Sequence, residues 1–376
     1  MTHHKQYERY QRQIILKEFG LAAQEKLLRS KVLVVGAGGL GCPALQYLTA
    51  AGVGTVGIVD DDIVSLNNLH RQVLYNMNDI GSSKAEVAAK KLKALNDETK
   101  FTVYNERLTN RNALHIIIDY DIVIDGTDNF SSRYMINDAC VLLNKPLVYG
   151  AISKFEGQVA VFNVKSNKRA VNYRDLFPDI PQENEVLNCA DAGVLGVLPG
   201  IIGALQANET IKLITGIGKP LINKLFSYNA LDNNSYEFNL ILNEEAQALI
   251  PKNREAFFNM DYEWLCSSST SAEFEINTTQ FDSLISAGNT MIIDVREKDE
   301  LPFVDEFEHI QIPLNELMSQ LSLIGKDDIV VFCQSGKRSL QAAKMLNAHY
   351  HQQKKIYSLK GGVTVWKQKK LQKEKQ

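Results

Sequence analysis

The sequence has no pair of cysteines in C-x-x-C spacing, and its cysteines are odd in number and far apart. They are Cys42, Cys140, Cys189, Cys266 and Cys333. A disulfide framework and a cysteine-built metal cage both need closely spaced cysteines in even numbers, so we expect neither. Unpaired thiols are typical of a reducing compartment, which predicts a cytoplasmic protein.

The sequence also lacks a strong excess of charge and a long apolar run. Its formal net charge of −3 favours neither nucleic acid nor an anionic membrane as the main partner. The longest nearly uncharged stretch, residues 192–206, is too short to span a bilayer and contains Pro199. The first residues are polar and include no apolar core of a secretory signal. We therefore expect no membrane-spanning segment.

The length of the chain and a change in composition along it predict two domains. A chain of 376 residues is long enough for about two domains, and residues 267–273 form a linker of small residues. We therefore predict one domain over residues 1–266 and a smaller one over residues 274–376. Apolar strands alternate with amphipathic helices in both parts, which predicts α/β folds, the first a mostly parallel sheet covered by helices.

A glycine-rich turn joins an apolar run to a helix near the start of the chain. Residues 32–41 read VLVVGAGGLG, and residues 42–51 have the composition of a helix. The turn contains Gly36, Gly38, Gly39 and Gly41. Such glycines let backbone N–H groups approach a phosphate, and the helix N-terminus adds partial positive charge. The stretch predicts a nucleotide site in a Rossmann-like sheet, which is common to proteins that bind NAD, FAD and other nucleotides.

Acidic residues follow at the end of the next predicted strand. Asp60 lies roughly 20 residues after the glycine turn, where dinucleotide-binding folds place an acid on a ribose hydroxyl. Asp61 and Asp62 follow at once. Because one ribose does not need three carboxylates, they are either a solvated turn or include a ligand for Mg²⁺.

Polar residues that suit phosphate binding occupy the next loop and helix. The loop of residues 65–75 contains Asn68, Arg71 and Gln72, whose amide and guanidinium groups can hold a triphosphate. A serine cap is expected just before Lys84, which places Lys84 in the first turn of a helix. Because the helix dipole disfavours a cation there, we expect Lys84 to have an anionic partner.

Another polar cluster follows the buried run of residues 120–124. It consists of Asp125, Thr127, Asp128 and Asn129. Ligands of open α/β sheets bind outside the carboxyl ends of the strands, so we expect these side chains at the nucleotide site.

The second domain has a cysteine in the turn between a predicted strand and a predicted helix. Residues 329–332 form the strand, and residues 340–350 form the helix. The loop between them contains Cys333, Gln334, Ser335, Gly336, Lys337 and Arg338. Backbone N–H groups point at the sulfur in such a turn, and the two basic residues add positive charge. The pattern predicts a reactive thiolate at Cys333.

Five motifs of the first domain closely resemble those of the MoeB/ThiF/E1-like adenylyltransferases. They are R-Q-I-I-L, G-A-G-G-L-G, V-D-D-D-I-V-S-L-N-N-L-H-R-Q, G-S-S-K and D-G-T-D-N, in this order. The resemblance covers about residues 7–266. It implies that Mg-ATP converts the C-terminal glycine of a ubiquitin-like sulfur-carrier protein, of the MoaD/ThiS type, into an acyl-adenylate.

The resemblance also implies roles for individual residues. Those implied to contact ATP are Asp60 on the ribose and Asn68, Arg71, Gln72 and Lys84 on the phosphates. Asp128 matches an essential acid that supports Mg²⁺. Arg12 matches an arginine that one subunit of a homodimer lends to the ATP site of the other.

The role of one cysteine has two interpretations, and the zinc-binding cysteines of many relatives are missing. Cys189 lies before a helix rich in alanine and glycine, so it is either an inert core residue or a usable thiolate. The resemblance implies a covalent role for it. Many relatives bind structural zinc through two C-x-x-C pairs, but residues 172–175 and 243–248 contain no cysteine. A zinc tetrathiolate cannot form, and something else must hold these loops.

The second domain resembles a rhodanese domain. D-V-R-E at residues 294–297, the cysteine loop, and L-K-G-G-V-T-V-W at residues 359–366 match rhodanese motifs in order. Only four residues separate Cys333 from Arg338, and this short loop suits a persulfide better than a phosphate. The fusion resembles MOCS3/Uba4/MoeZ-type proteins. It implies that a cysteine desulfurase or another sulfur donor loads Cys333, and that a second thiol, Cys189, releases the carrier thiocarboxylate.

Two other functions fit part of the sequence. The glycine turn alone suits an NAD-dependent oxidoreductase, and a degenerate ATP site would make the chain a non-catalytic carrier-binding scaffold. Neither accounts for Arg71, Lys84 and the Cys333 loop together. Carriers for molybdopterin, thiamine, tRNA thiolation or cysteine fit the resemblance equally.

Overall fold

The computed structural model describes residues 7–164, 170–178, 193–262, 274–350 and 353–373. The chain forms two compact units, Met1–Cys266 and Ser267–Gln376. Cys189 and the predicted linker lie outside the described residues. Within the described ranges, no helix combines the length and the apolar character needed to cross a membrane.

Eight strands form one sheet in the first unit. They are β1 (Lys31–Val35), β2 (Thr55–Val59), β3 (Lys100–Tyr104), β4 (Ile122–Asp125), β5 (Leu147–Ser153), β6 (Glu156–Phe162), β7 (Lys224–Asn229) and β8 (Ser235–Asn239). Their order in the sheet is β3-β2-β1-β4-β5-β6-β7-β8. The first five strands pair in parallel, and β5 to β8 pair antiparallel. After β3 the chain crosses to the other side of β1, so that β4 lies next to β1. A crevice opens at the carboxyl ends of these two strands, where the strand order reverses.

Helices cover both faces of this sheet. They are α1 (Gln11–Ile14), α2 (Gly20–Arg29), α3 (Gly41–Ala51), α4 (Lys84–Leu95), α5 (Ala113–Ile117), α6 (Phe130–Leu143), α7 (Tyr173–Leu176), α8 (Leu198–Thr215), α9 (Glu244–Ala248) and α10 (Arg254–Asn259). Val32 and Val34 of β1 belong to one hydrophobic core, whereas Leu33 and Val35 belong to the core on the opposite face. Burial on both faces explains the continuous apolar runs, and it confirms the predicted parallel sheet covered by helices.

The N-terminal segment differs from expectation. The apolar spacing of residues 7–30 predicts one helix, but α1 and α2 are separated by turns. The break precedes Gly20, whose φ of +62° lies in the left-handed region. As a result Ile15, part of the predicted apolar stripe, is 65% exposed.

Helix α8 packs directly against the glycine turn. A Cβ atom at Gly203 would lie 2.2 Å from the backbone oxygen of Leu40, so only glycine fits there. The buried amide of Gln206 donates hydrogen bonds to the backbone oxygens of Asp125 at 2.7 Å and Val148 at 3.2 Å. This part of α8 therefore joins the glycine turn to β4 and β5.

Hydrogen bonds join the two loops, residues 172–175 and 243–248, that would contain the zinc-binding cysteines of many relatives. Asp175 Oδ1 accepts the backbone N–H of Asn243 at 2.7 Å. Asp175 Oδ2 accepts the side-chain amides of Asn172 at 2.7 Å and Gln247 at 3.3 Å. Because a carboxylate can accept several hydrogen bonds at once, Asp175 holds both loops without a metal ion.

A buried ion pair reinforces these loops. Arg174 Nε donates to Asp138 Oδ1 at 2.8 Å, and Arg174 Nη2 donates to Asp138 Oδ2 at 2.7 Å. The hydroxyl of Tyr262 donates to Asp138 Oδ2 at 2.9 Å. Arg174 is 1% exposed and Asp138 is 0% exposed. The pair thus links α6, α7 and the last described part of the unit.

Replacing Asp138 by alanine is expected to lower the free energy of unfolding of the first unit by about 3–5 kcal/mol, because Arg174 would stay buried without its counter-charge. Denaturant unfolding of the full chain, followed by circular dichroism, measures this loss. The matched control is Asp232→Ala in the exposed turn between β7 and β8, with an expected change below about 0.5 kcal/mol. A chelator is expected to leave the stability of the natural chain unchanged. Destabilisation by the chelator, or equal losses in both variants, would contradict the assignment.

The second unit is a smaller parallel sheet with helices. Its strands are β9 (Glu275–Ile276), β10 (Met291–Asp294), β11 (Ile310–Gln311), β12 (Asp328–Phe332) and β13 (Lys355–Leu359). They lie in the order β11-β10-β12-β13-β9, all paired in parallel. The helices are α11 (Thr278–Ala287), α12 (Lys337–His349) and α13 (Gly362–Lys373). The spacing of Leu340, Ala343 and Leu346 predicts one apolar face of α12, and all three are buried.

Candidate active sites

A cleft of about 380 Å³ lies at the carboxyl ends of β1, β2 and β4. The residues predicted for nucleotide binding that line it are Gly36, Gly38, Gly39, Asp60, Asn68, Arg71, Gln72, Lys84 and Asp128. They come from five separate stretches of the chain, and the sheet order brings them together. The position agrees with the crevice expected where the strand order reverses.

Two glycines of the turn lie in close contact with neighbouring backbone. Gly36 has a φ of +92°, and a Cβ atom there would lie 2.8 Å from the backbone oxygen of Gly126. A Cβ atom at Gly41 would lie 1.9 Å from the backbone oxygen of Gly36. Gly41 thus lets α3 approach the turn closely.

Asp60 connects the end of β2 to the glycine turn. Its Oδ2 accepts the backbone N–H of Ala37 at 2.7 Å, and its Oδ1 accepts that of Asp62 at 2.9 Å. Burial raises the pKa of Asp60, and the nearby Lys84 opposes this shift. Since a carboxylate has further lone pairs, Asp60 can still accept a hydrogen bond from a ribose hydroxyl.

Lys84 has the anionic partner that its place in the helix predicts. It is the first residue of α4, and the side chain of Ser83 caps this helix by accepting the N–H of Glu86. Lys84 is 5% exposed, and its Nζ donates to Asp62 Oδ2 at 2.7 Å. The cleft therefore holds a buried cation whose carboxylate partner comes from the turn after β2.

The loop after this turn supplies polar groups to the same cleft. Arg71 Nη1 donates to the backbone oxygen of Asn67 at 2.9 Å, which fixes the guanidinium beside the cleft. Gln72 is 4% exposed, and its Oε1 has no hydrogen-bond partner among the described residues. A buried polar atom without a partner is costly, so this wall of the cleft fits a polar ligand.

The two remaining predicted residues occupy different places. Asp128 is exposed and lines the cleft just after β4, whereas the neighbouring Asp125 is buried and accepts hydrogen bonds from Thr127. Arg12 is exposed on α1 and does not line the cleft of its own chain.

Several cleft residues were not predicted from the sequence. Arg107 and Leu108 follow β3, and Ser132 and Arg133 lie in the first turn of α6. Arg107, Leu108 and Ser132 also line a second cavity of about 440 Å³. Since β3 is the neighbour of β2, the carboxyl-end rule would have pointed to its loop if the strand order had been known.

Residues 333–336 join β12 to α12, and two backbone N–H groups donate to the Cys333 sulfur. The helix predicted from residue 340 begins at Lys337, so Arg338 lies in its first turn. The backbone N–H groups of Gly336 and Ser339 donate to Cys333 Sγ at 3.2 and 3.4 Å. Cys333 is 0% exposed. Two backbone N–H groups thus point at the sulfur, as expected for a turn between a strand and a helix.

Glycines after β13 bring a second chain segment against this loop. A Cβ atom at Gly362 would lie 2.4 Å from the backbone oxygen of Cys333, and Gly336, at φ +95°, packs on the backbone of Gly361. Gly361 and Gly362 of the predicted motif are thus required for close packing against the cysteine loop.

Models of two protein families match the chain. The ThiF family model matches residues 10–248, and the rhodanese-like domain model matches residues 277–369. The two matches follow one another along the chain without overlap.

Similarity to known proteins extends over both matched regions. The sulfur carrier protein adenylyltransferase of Thermus thermophilus is 53% identical over 230 residues, 61% of this chain and 85% of that protein. The probable adenylyltransferase/sulfurtransferase MoeZ of Mycobacterium tuberculosis is 37% identical over 370 residues, 95% of this chain and 92% of that protein. The crystal structure of E. coli MccB with ATP has a TM-score of 0.53 at 23% identity and covers 62% of this chain and 71% of that one, which shows the fold alone.

Proposed function

The chain belongs to the ThiF family and carries a rhodanese-like domain after it, and from this premise we propose that it activates a ubiquitin-like sulfur carrier with ATP and then supplies sulfur from Cys333. It is an adenylyltransferase with a sulfurtransferase activity. The names of the Thermus and Mycobacterium relatives support the two halves of this proposal.

The observation that carries the first half is the meeting of the glycine turn, Arg71, Gln72, Lys84 and Asp128 around one cleft. In the proposed step, a carboxylate oxygen of the carrier's terminal glycine attacks the α-phosphorus of ATP, and pyrophosphate leaves with the bonding electron pair. Cations beside the phosphates stabilise the charge that develops in this displacement. The acyl-adenylate of the carrier is the product.

Each cleft residue has a task in this proposal. Asp60 binds the ribose, and Asn68 binds phosphate together with Arg71, Gln72 and Lys84. Asp128 would hold Mg²⁺, which neutralises phosphate charge when bound. Arg12 completes the site of the partner subunit in a homodimer, a role supported by its exposure outside its own cleft.

The second half starts from a persulfide on Cys333. Its terminal sulfur attacks the carbonyl carbon of the acyl-adenylate, the bond to the phosphate oxygen breaks, and AMP leaves. The resulting acyl disulfide is attacked by a second thiolate, for which Cys189 is the candidate from the sequence. This attack releases the thiocarboxylate and leaves a disulfide that a cellular thiol reduces. A cysteine desulfurase or another persulfide donor reloads Cys333, and the reaction takes place in the cytoplasm.

Pyrophosphate exchange into ATP tests the proposal. The full chain, ATP, Mg²⁺ and a purified sulfur carrier are expected to exchange labelled pyrophosphate, because adenylation is reversible. A carrier that lacks its terminal glycine is the matched control and is expected to give background exchange. Exchange that does not depend on the carrier, or hydride transfer to a nicotinamide cofactor, would overturn the proposal.

A further inference from the structure

Two arginines near Cys333, Arg338 and Arg296, are both paired with carboxylates. Arg338 Nη1 donates to Glu300 Oε2 at 2.7 Å, and Arg338 Nη2 donates to Glu300 Oε1 at 2.5 Å. Arg296 donates to Asp294 at 2.7 Å through Nη2 and at 3.0 Å through Nε. Each guanidinium thus faces a full negative charge in fork geometry.

The Glu300 pair belongs to the active loop and is partly shielded from water. The side chain of Arg338 is 13% exposed and that of Glu300 is 24% exposed. Burial alone would raise the pKa of Glu300, but the hydrogen bonds and charge of Arg338 outweigh it, so this pKa is lowered. Glu300 is therefore an anion at neutral pH, and solvent screens it less than an exposed carboxylate.

The segment that carries Glu300 is held against the loop by a second contact. Arg296 Nη1 donates to the backbone oxygen of Pro302 at 2.8 Å and to Gln334 Oε1, a loop residue, at 3.5 Å. Glu300 is therefore held beside Arg338, and its charge lowers the positive potential that Arg338 offers to an anion near the loop.

We propose that Glu300 is a specificity-determining residue of the Cys333 site. By offsetting the charge of Arg338, it lowers the affinity of the loop for the dianion thiosulfate relative to monoanionic organic donors of sulfane sulfur, such as persulfides and thiosulfonates. The N–H groups of Gly336 and Ser339 stabilise the reacting sulfur equally with either donor. This inference rests on the sulfur-transfer half of the proposed function.

The same bonds change with both classes of donor. The Cys333 thiolate attacks the sulfane sulfur, a new S–S bond forms, and the donor's S–S bond breaks. With thiosulfate the electron pair leaves on sulfite, and with methanethiosulfonate it leaves on methanesulfinate. Cys333 carries the persulfide in both cases, so the donors differ in charge and not in the chemistry at the cysteine.

Replacing Glu300 by glutamine in the full chain tests this inference. Coulomb energy is proportional to the charge of the anion, and a rate constant depends exponentially on energy. The fold-increase in kcat/KM for a dianion is therefore the square of the fold-increase for a monoanion. We expect kcat/KM to rise about 10-fold for thiosulfate and about threefold for methanethiosulfonate, both gains shrinking at high salt. Glu300→Asp keeps the charge and is expected to keep the natural ratio of the two donors.

Glu306→Gln is the matched control, because Glu306 pairs with Lys367 at 3.0 Å, is 24% exposed, and belongs to a different ion pair of the same unit. Its donor ratio is expected to match that of the natural chain. Equal changes for both donors in Glu300→Gln, or a gain that salt does not reduce, would overturn the inference and leave a structural role only. No turnover of either donor by the natural chain would instead overturn the sulfur-transfer proposal, and this inference with it.

Discussion

Replacing Asp128 by alanine is expected to lower carrier-dependent pyrophosphate exchange by about 1,000-fold. Asp128 is an exposed carboxylate that lines the cleft. Its side chain forms no hydrogen bond with another of the described residues, so its charge is available for Mg²⁺ and the reacting phosphate. The loss is expected in kcat, because in the proposed function Arg71 and Lys84 would still hold the nucleotide. Calorimetric titration with ATP is therefore expected to show an affinity changed by less than about 10-fold.

Two further variants separate charge from shape. Asp128→Asn keeps the size of the side chain and removes its charge, so we expect a loss close to that of alanine. Asp119→Ala changes an exposed carboxylate at the opposite, amino end of β4 and is expected to exchange pyrophosphate at the natural rate. Natural exchange rates in both Asp128 variants would show that the adenylation site has been assigned wrongly.

Replacing Cys333 by alanine is expected to reduce sulfur transfer to the background rate while pyrophosphate exchange stays at the natural level. Cys333 is the residue whose sulfur receives the N–H groups of Gly336 and Ser339, and no other atom of the loop can carry a persulfide. Formation of the carrier thiocarboxylate, measured by mass spectrometry, reports the transfer. The exchange assay on the same protein reports the first half.

Cys333→Ser is the conservative companion of this variant. A hydroxyl fills the same space and can accept the same N–H groups, but it forms no persulfide. We therefore expect an intact fold, natural exchange and no thiocarboxylate. Sulfur transfer that survives in both variants would mean that another thiol of the chain accepts the sulfur.

The local patterns predicted the elements around both sites with few errors. The apolar run before the glycine turn became β1, and the polar end of the next strand became the Asp60 turn. The dipole argument for Lys84 gave the correct kind of partner, although the sequence did not identify Asp62. Such features depend on residues close together in the chain, where spacing and composition are sufficient to infer them.

Features that depend on long-range packing escaped prediction. Arg107 and Leu108 reach the cleft because β3 lies next to β2. The sequences of these two strands do not reveal that they are neighbours in the sheet. The packing of Gly41 against the backbone oxygen of Gly36 was not predicted either. The pairing of Arg338 with Glu300 joins loops 38 residues apart and was likewise not foreseen.

The sequence by itself determined the α/β class, the nucleotide turn, the basic cysteine loop and the absence of a zinc tetrathiolate. These follow from side-chain chemistry and from periodicity over a few residues. Only the tertiary structure decided how Asp175 joins two distant loops, which residues share the cleft, and that Glu300 pairs with Arg338. Burial and distance between segments set these interactions, and both come into being only when the chain has folded.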